Sequence, residues 1–367
     1  METVKLTDIC TPRQWKTIPS DQLQPVGYPV YGANGVIGYY SEYNHEEPVV
    51  AITCRGATCG NINLTCSKAY ITGNAMCLDA LADFVDVDYL YYCMKQFDFH
   101  NVISGSAQPQ ITRQGLEKVK IQICSLPEQK KVAAVLKIVE NISAFRRRQL
   151  AELDTLIKAR FVEMFGEPET NAKGWPVVPM SEVCSIGSSK RIYQSEQSSD
   201  GIPFWRISDL TNLINTGIAT ADLFIPEARY SELQSQGQVP IAGDILVTSR
   251  GTLGQCYIVR ADDKFYFQDG MISWLSKYVD NVTPQYISYL FTMPGFRKQI
   301  DSMQVGSTVA YLSIAMIKKL NVMLPTRELQ NEFAILAAQV DKSKVVVQKA
   351  LDEAQTLFDS LMQEYFG

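Results

Sequence analysis

Apolar positions recur along this chain with two periods. Over Glu128 to Phe165 and Arg327 to Phe366 they return every three or four residues, in runs with no Pro or Gly, just after Pro127 and Pro325. The second run has Phe333, Leu336, Val340, Val347, Ala350, Ala354, Leu357 and Leu361 in heptad steps. The first has Val135, Ile138, Ile142 and Phe145, slips near Gln149, and resumes with Leu150, Leu153, Ile157 and Met164. Each run predicts one helix of about 55 Å at 1.5 Å per residue. They end in Met164-Phe165-Gly166 and Tyr365-Phe366-Gly367, with Gly where a helix needs a left-handed terminal residue. Glu128 to Phe165 holds eight Lys/Arg against five Asp/Glu, and Arg327 to Phe366 four against seven. Net charges of +3 and −3 beside apolar seams predict that the two helices pack on each other; the alternative is that each covers its own globular half.

Outside these helices the period shortens to that of strands. Pro48–Thr53 and Ala242–Thr248 are short apolar runs suited to buried strands, and each leads into an Arg-Gly loop, Arg55-Gly56 and Arg250-Gly251. Ile71–Leu78 and Phe267–Ile272 are further strand signals, Val87–Phe97 suits a helix on a sheet, and Leu116–Ile123 alternates as a half-exposed strand. A shift of 201 positions lays one long helix on the other without a gap, and lays Gly105-Ser106 on Gly306-Ser307 and Ile111 on Leu312. The chain is therefore an internal repeat of two homologous halves. It divides into a globular half over 1–126, a helix over 127–166, a second globular half over 167–324 and a second helix over 325–367. Ile202–Leu210, with Phe204-Trp205-Arg206, stands where the first half has Tyr31-Gly32-Ala33-Asn34.

Composition narrows the classes. The 367 residues suit two domains, and 46% hydrophobic with 20% charged content describes a folded soluble protein. No apolar run approaches membrane-spanning length and Met1–Cys10 lacks signal-peptide character, so a cytoplasmic location without a membrane is expected. Nine cysteines with no Cys-x-x-Cys pair argue against a disulfide framework or a zinc finger, and read as reduced thiols with no metal. A net charge of −5, taken alone, weakens a nucleic-acid reading, yet leaves room for a local basic face.

Signs of catalysis are sparse. There is no phosphate loop, no dinucleotide turn and no Pro-Pro-Tyr or Pro-Pro-Phe, and His45 and His100 are the only histidines. The glycine triplet Gly32, Gly35 and Gly38 matches no phosphate cradle. Asp262-Asp263 and the Asp83, Asp86 and Asp88 group read as solvated turns rather than metal ligands. Nothing here looks like an enzyme acting alone.

Tyr28-Pro29-Val30-Tyr31-Gly32-Ala33-Asn34-Gly35, Arg55-Gly56-Ala57-Thr58-Cys59-Gly60, the Gly105–Ile111 loop and the duplicated helical ends together resemble the specificity (S) subunit of type I restriction–modification enzymes, over nearly the whole chain. The resemblance implies an α+β protein: two tandem α/β target-recognition domains, each followed by a long helix, the helices forming an antiparallel coiled coil with pseudo-twofold symmetry. It implies no catalytic activity in this chain. Each domain would read part of a bipartite site in double-stranded DNA. The helices would set the spacing and dock two modification (methyltransferase) subunits, which carry S-adenosylmethionine, and restriction subunits using ATP and Mg²⁺ can then join.

On that basis Arg55, Arg206 and Arg250 suit guanine edges or phosphates, and Asn34, Gln108 and Gln110 suit adenine. Ser106, Thr58, Thr252, Ser307 and Thr308 suit phosphate contacts. Tyr31, Arg113, Ser208 and Tyr311 lie in or beside the same loops. Val135, Ile138, Ile142, Phe145, Leu153, Ile157, Phe333, Leu336, Val340, Val347, Leu357 and Leu361 are the expected coiled-coil and docking positions. Two alternatives remain open at this stage: a recognition subunit of another DNA-modifying system, and a two-domain scaffold that binds protein and no nucleic acid.

Overall fold

The computed structural model describes residues 2–105, 108–304 and 310–367. It divides into two compact units, one made of the chain up to Gln149 together with Val346–Gly367, the other of Leu150–Val345.

In the first unit a four-stranded antiparallel sheet runs in the order Thr11–Arg13, Ala75–Asp79, Val50–Thr53, Ile62–Leu64. Val50–Thr53 is buried throughout because both faces are covered. Val50, Ile52, Met76 and Leu78 point into the core that holds Leu90 and Met94 of helix Val87–Gln96. Val49, Ala51, Ala75 and Cys77 point the other way, onto Ile71. Ile71 belongs to a three-stranded sheet ordered Gly35–Tyr40, Tyr28–Gly32, Tyr70–Ile71, whose last pair is parallel. Glu2–Lys5 pairs with Lys120–Ile123 as a separate ribbon. The Asp86 carboxylate accepts from Tyr89 N at 3.0 Å and starts helix Val87–Gln96.

The second unit repeats this plan strand for strand. Its four-stranded sheet is Ser185–Gly187, Ile272–Ser276, Ile245–Thr248, Cys256–Ile258, and its three-stranded sheet is Phe224–Ile225, Ile202–Trp205, Tyr266–Phe267, again ending in a parallel pair. Val177–Pro179 pairs with Asn321–Met323, and helix Pro284–Leu290 is capped by Thr283. Ile245, Val247 and Leu275 enter one core, while Leu246, Ile272 and Trp274 enter another. The unit adds helices Ile207–Thr216, Glu227–Ser235 and Pro294–Ser302.

Two helices of 40 residues, Leu126–Phe165 and Arg327–Phe366, follow the two ribbons. The first ends at Gly166, whose φ of +84° lets its amide turn back to Val162 O at 2.8 Å. They run antiparallel within both units. In the first, Ala133 and Leu136 share a core with Met362, and Arg147 Nη2 donates to Gln355 Oε1 at 3.4 Å. In the second, Asp154 pairs with Lys344, and Phe161 and Phe165 pack edge-on to Phe333 at 5.4 and 5.3 Å between ring centroids.

The packed face of the first helix differs from the expected seam. In the first unit it is made by Ala133, Leu136, Val139 and Ser143, all buried. Ile138, Ile142 and Phe145 are 59%, 43% and 58% exposed, and Val135 is half-buried. Ser143 lines a cavity of about 550 Å³ together with Phe358 and Met362 of the partner helix. Selecting the largest apolar residues picks the neighbouring stripe. Leu357 is likewise half-exposed rather than enclosed. Phe333, Val340 and Ile157 are buried, and Leu153, Leu336, Val347 and Leu361 are partly so.

Candidate nucleic-acid interface

In each unit several loops meet at one edge of the sheets, and the backbone fixes how they meet. In the first unit Cys54, just past the buried strand, donates from N to Asn74 O at 3.1 Å and accepts at O from Ile111 N at 3.0 Å. Gly56 N reaches Pro109 O at 3.2 Å, Arg55 and Gln110 form a bridge, and Gly60 N returns to Thr53 O at 2.9 Å. The turn Ala33-Asn34 joins them: Thr53 Oγ1 donates to Ala33 O, and Thr72 N donates to Tyr31 O at 3.0 Å. The segment after the first strand crosses the same edge, where Gln14 Nε2 donates to Gly73 O at 2.8 Å. A Cβ at Gly73 would lie 2.7 Å from Trp15 O, so only glycine admits this crossing.

The second unit builds the same junction with other side chains. Ser249 N donates to Met271 O at 2.9 Å, Leu312 N to Ser249 O at 3.0 Å, and Gly254 N to Thr248 O at 2.9 Å. Ser188 takes the place of Gln14, its Oγ donating to Ile272 O at 3.2 Å and accepting from Gly270 N at 3.2 Å. Arg250 lies over the ring of Tyr311 at 5.6 Å, and Tyr311 Oη donates to Gly270 O at 2.9 Å. The tyrosine is thus anchored to one loop while it supports a cation from another.

The loops place the candidate residues unequally. Asn34, Arg55, Gln108, Gln110, Arg113, Arg250 and Thr252 are exposed on these edges, and Thr58 is half-buried in the Arg-Gly loop. Among the described residues no carboxylate pairs with Arg55 or Arg250. Arg206, in contrast, bonds to Asp209 at 3.2 Å and to Asp222 at 3.1 Å, and Ser208 Oγ leans on Asp209 at 3.4 Å. The Asp209 carboxylate, with Asp222 behind it, raises the Arg206 pKa further and keeps the guanidinium in this local network. Tyr31 Oη accepts from Cys66 N at 3.2 Å, a packing role, and burial raises its pKa. Ser106, Ser307 and Thr308 lie outside the described residues.

Gln14 and Ser188 are single polar residues with no periodic signal in the sequence, whereas the helix after Trp205 could have been found from Ile207, Leu210, Leu213 and Ile214, which recur at helical spacing. His45 is packed: its ring bridges Asp79 Oδ1 at 2.9 Å and Asn44 Oδ1 at 2.7 Å. Cys77 lies close by, but burial raises its thiol pKa, and Asp79 already accepts from Trp15 Nε1 at 3.0 Å. These partners hold a structural cluster in place. A cavity of about 790 Å³ lies elsewhere, between the ribbon residues Glu2 and Ile123 and the helix residues Lys131 and Tyr365.

The profile of the family described as type I restriction modification DNA specificity domain matches residues 1–155 and 172–353. The chain belongs to that family. It is 22% identical over 343 residues to a chain described as a type I restriction enzyme specificity subunit of Haemophilus influenzae, covering 91% of this chain and 82% of that one. It is also 22% identical to the MjaVIII specificity subunit of Methanocaldococcus jannaschii, covering 90% of this chain and 82% of the relative. The fold is similar to the crystal structure of the type I restriction–modification S subunit from M. genitalium, with a TM-score of 0.67 at 15% identity, over 100% of this chain and 96% of that one. A second chain, from a structure of type I R-M complex assembly and conformational transition, matches at a TM-score of 0.54 and 16% identity, over 100% and 97%. In this type I specificity chain the loop edges of the two units agree in backbone hydrogen bonds and differ in side chains.

Proposed function

We propose that the chain is the DNA-reading subunit of a type I restriction–modification complex. Its two loop edges each bind one half of a split site in double-stranded DNA. One observation carries this reading: the Ile111–Cys54 and Leu312–Ser249 backbone bonds, both 3.0 Å, hold the same junction twice, with an exposed arginine following each strand. A backbone built once and decorated twice is suited to two addresses on one duplex. Arginine can span guanine O6 and N7, and Asn34, Gln108 and Gln110 supply amides that match adenine.

Affinity for phosphate is left in part to partners, given the chain's net charge of −5. The exposed stripe Ile138, Ile142 and Phe145 is the docking face for a modification subunit, which contributes S-adenosylmethionine and the adenine-methylating site. Restriction subunits with ATP and Mg²⁺ act in the larger complex. No methyl transfer is assigned to residues of this chain.

The test is modified-base sequencing of a plasmid library co-expressed with the methyltransferase gene that accompanies this one, with and without the chain. A split motif methylated only in its presence supports the reading. A folded, bound partner with no chain-dependent motif overturns it.

A further inference from the structure

The two edges differ most in one place. In the first unit the strand Tyr28–Gly32 turns straight back through Ala33-Asn34 into Gly35–Tyr40. In the second, the equivalent strand Ile202–Trp205 runs instead into helix Ile207–Thr216 before its partner strand arrives at Phe224. The equivalence is fixed by hydrogen bonds: Gln268 N donates to Trp205 O at 2.9 Å as Thr72 N does to Tyr31 O at 3.0 Å.

Both ends of this helix touch the loop edge. It starts beside Gln268, and at its far end Asn215 Oδ1 accepts from Gln255 Nε2 at 3.2 Å, where Gln255 directly follows the Arg250–Gly254 loop. Leu210 and Leu213 bury its inner face against Leu246 and Tyr257. The opposite face carries Ser208, Thr211 and Asn215, spaced i, i+3, i+7 on one stripe. A helix face left to solvent usually carries strong helix formers such as Glu, Lys and Ala. This one carries three weaker formers and no charge, and the carboxylate of the first turn, Asp209, is buried and paired with Arg206.

We propose that helix Ile207–Thr216 enters the major groove and reads bases of the second half-site through Thr211 and Asn215. The major groove admits a helix, and a hydroxyl and an amide are groups that discriminate base edges there. Asn212 is not part of the reading set, because its amide donates to Ile218 O and Thr220 Oγ1, both at 3.3 Å, and shapes the loop that follows. The first domain reads with a tight hairpin tip and the second with a helix. This inference rests on the DNA-reading role proposed above and assigns the element that carries it.

The test repeats the methylation-motif experiment in the full complex with Thr211→Val and Asn215→Asp. Both keep side-chain shape, and the aspartate keeps the acceptor for Gln255. The expected result is a change at the second half-site, at least tenfold in preference at one or more base pairs, with the first half-site unchanged as an internal control of folding. An unchanged motif at wild-type levels overturns the helix as reader and leaves the DNA-reading role standing. Methylation that falls equally at all sites without a change in motif also overturns it, by making the face a phosphate or protein contact. A wild-type chain that confers no motif refutes the underlying role itself.

Discussion

The side-chain carbonyl of Gln330 accepts from the backbone amide of Thr283 at 2.8 Å, and 201 residues earlier Gln129 does the same to Asp86 at 2.8 Å. Each glutamine is fully buried and spends its amide on two carbonyls: Asn281 and Pro325 for Gln330, Phe84 and Cys124 for Gln129. A single side chain thus ties the first turn of a long helix to the start of the short helix that covers the sheet. Replacing Gln330 or Gln129 by Ala leaves several buried backbone groups unpaired, and should lower stability by about 2–4 kcal/mol. Urea unfolding monitored in each unit checks this, with Gln330→Ala weakening the second unit and Gln129→Ala the first.

Arg250 and Tyr311 should separate base contact from support. Arg250→Ala is expected to weaken binding to the specific duplex by about 1–3 kcal/mol and to relax preference at one position of the second half-site. Tyr311→Phe keeps the ring under the guanidinium and loses only the bond to Gly270 O, so it should cost about 1 kcal/mol. Competition binding of the complex with single-base variants measures both. A uniform loss for Arg250→Ala, with a shallower salt dependence, would make it a phosphate contact instead.

The exposed stripe on the first long helix predicts a mutant that folds but does not assemble. Ile142→Lys with Phe145→Glu changes positions that already face solvent, so each should alter stability by no more than about 0.5 kcal/mol. Loss of co-purification with the methyltransferase, at an unchanged melting temperature, is the expected outcome. Retained assembly would move the docking face elsewhere.

The cysteines should react in an order set by burial. Desolvation pushes the Cys10, Cys93 and Cys184 thiols up to about 12, and the thiolate is the reacting form. Cys66 is exposed and none of the nine is in a disulfide. A short maleimide pulse at neutral pH, read by mass spectrometry, should therefore label Cys66 first and leave those three unlabelled until the chain unfolds.

Much of the fold was legible because it is written in local pattern and written twice. Runs such as Val50–Thr53 and Ile245–Thr248 suit strands covered on both faces, and the two Pro-delimited heptad stretches suit long helices, as the structure has them. The repeat made each half a check on the other, so Ile111 and Leu312, aligned by a shift of 201, occupy the same backbone bond. The segment Ile202–Leu210 was harder. Its alignment with the Tyr-Gly hairpin held for the strand but concealed the helix, because an insertion breaks the shift and Ser, Thr and Asn are weak helix signals.

By itself, the sequence determined two homologous halves, two long helices, the buried strands and a loop edge with arginine after each central strand. All of these follow from periodicity and repetition, which neighbours in sequence impose. Only the tertiary structure decided which stripe of the first helix is packed: Leu136, Val139 and Ser143 are buried, while Ile138, Ile142 and Phe145 face solvent. It also decided which arginine is free to meet a ligand. Arg250 stands over a tyrosine that another loop brings to it, while Arg206 is held by Asp209 and Asp222. Charge and size are properties of single residues, but what satisfies them is set by residues that folding alone brings near.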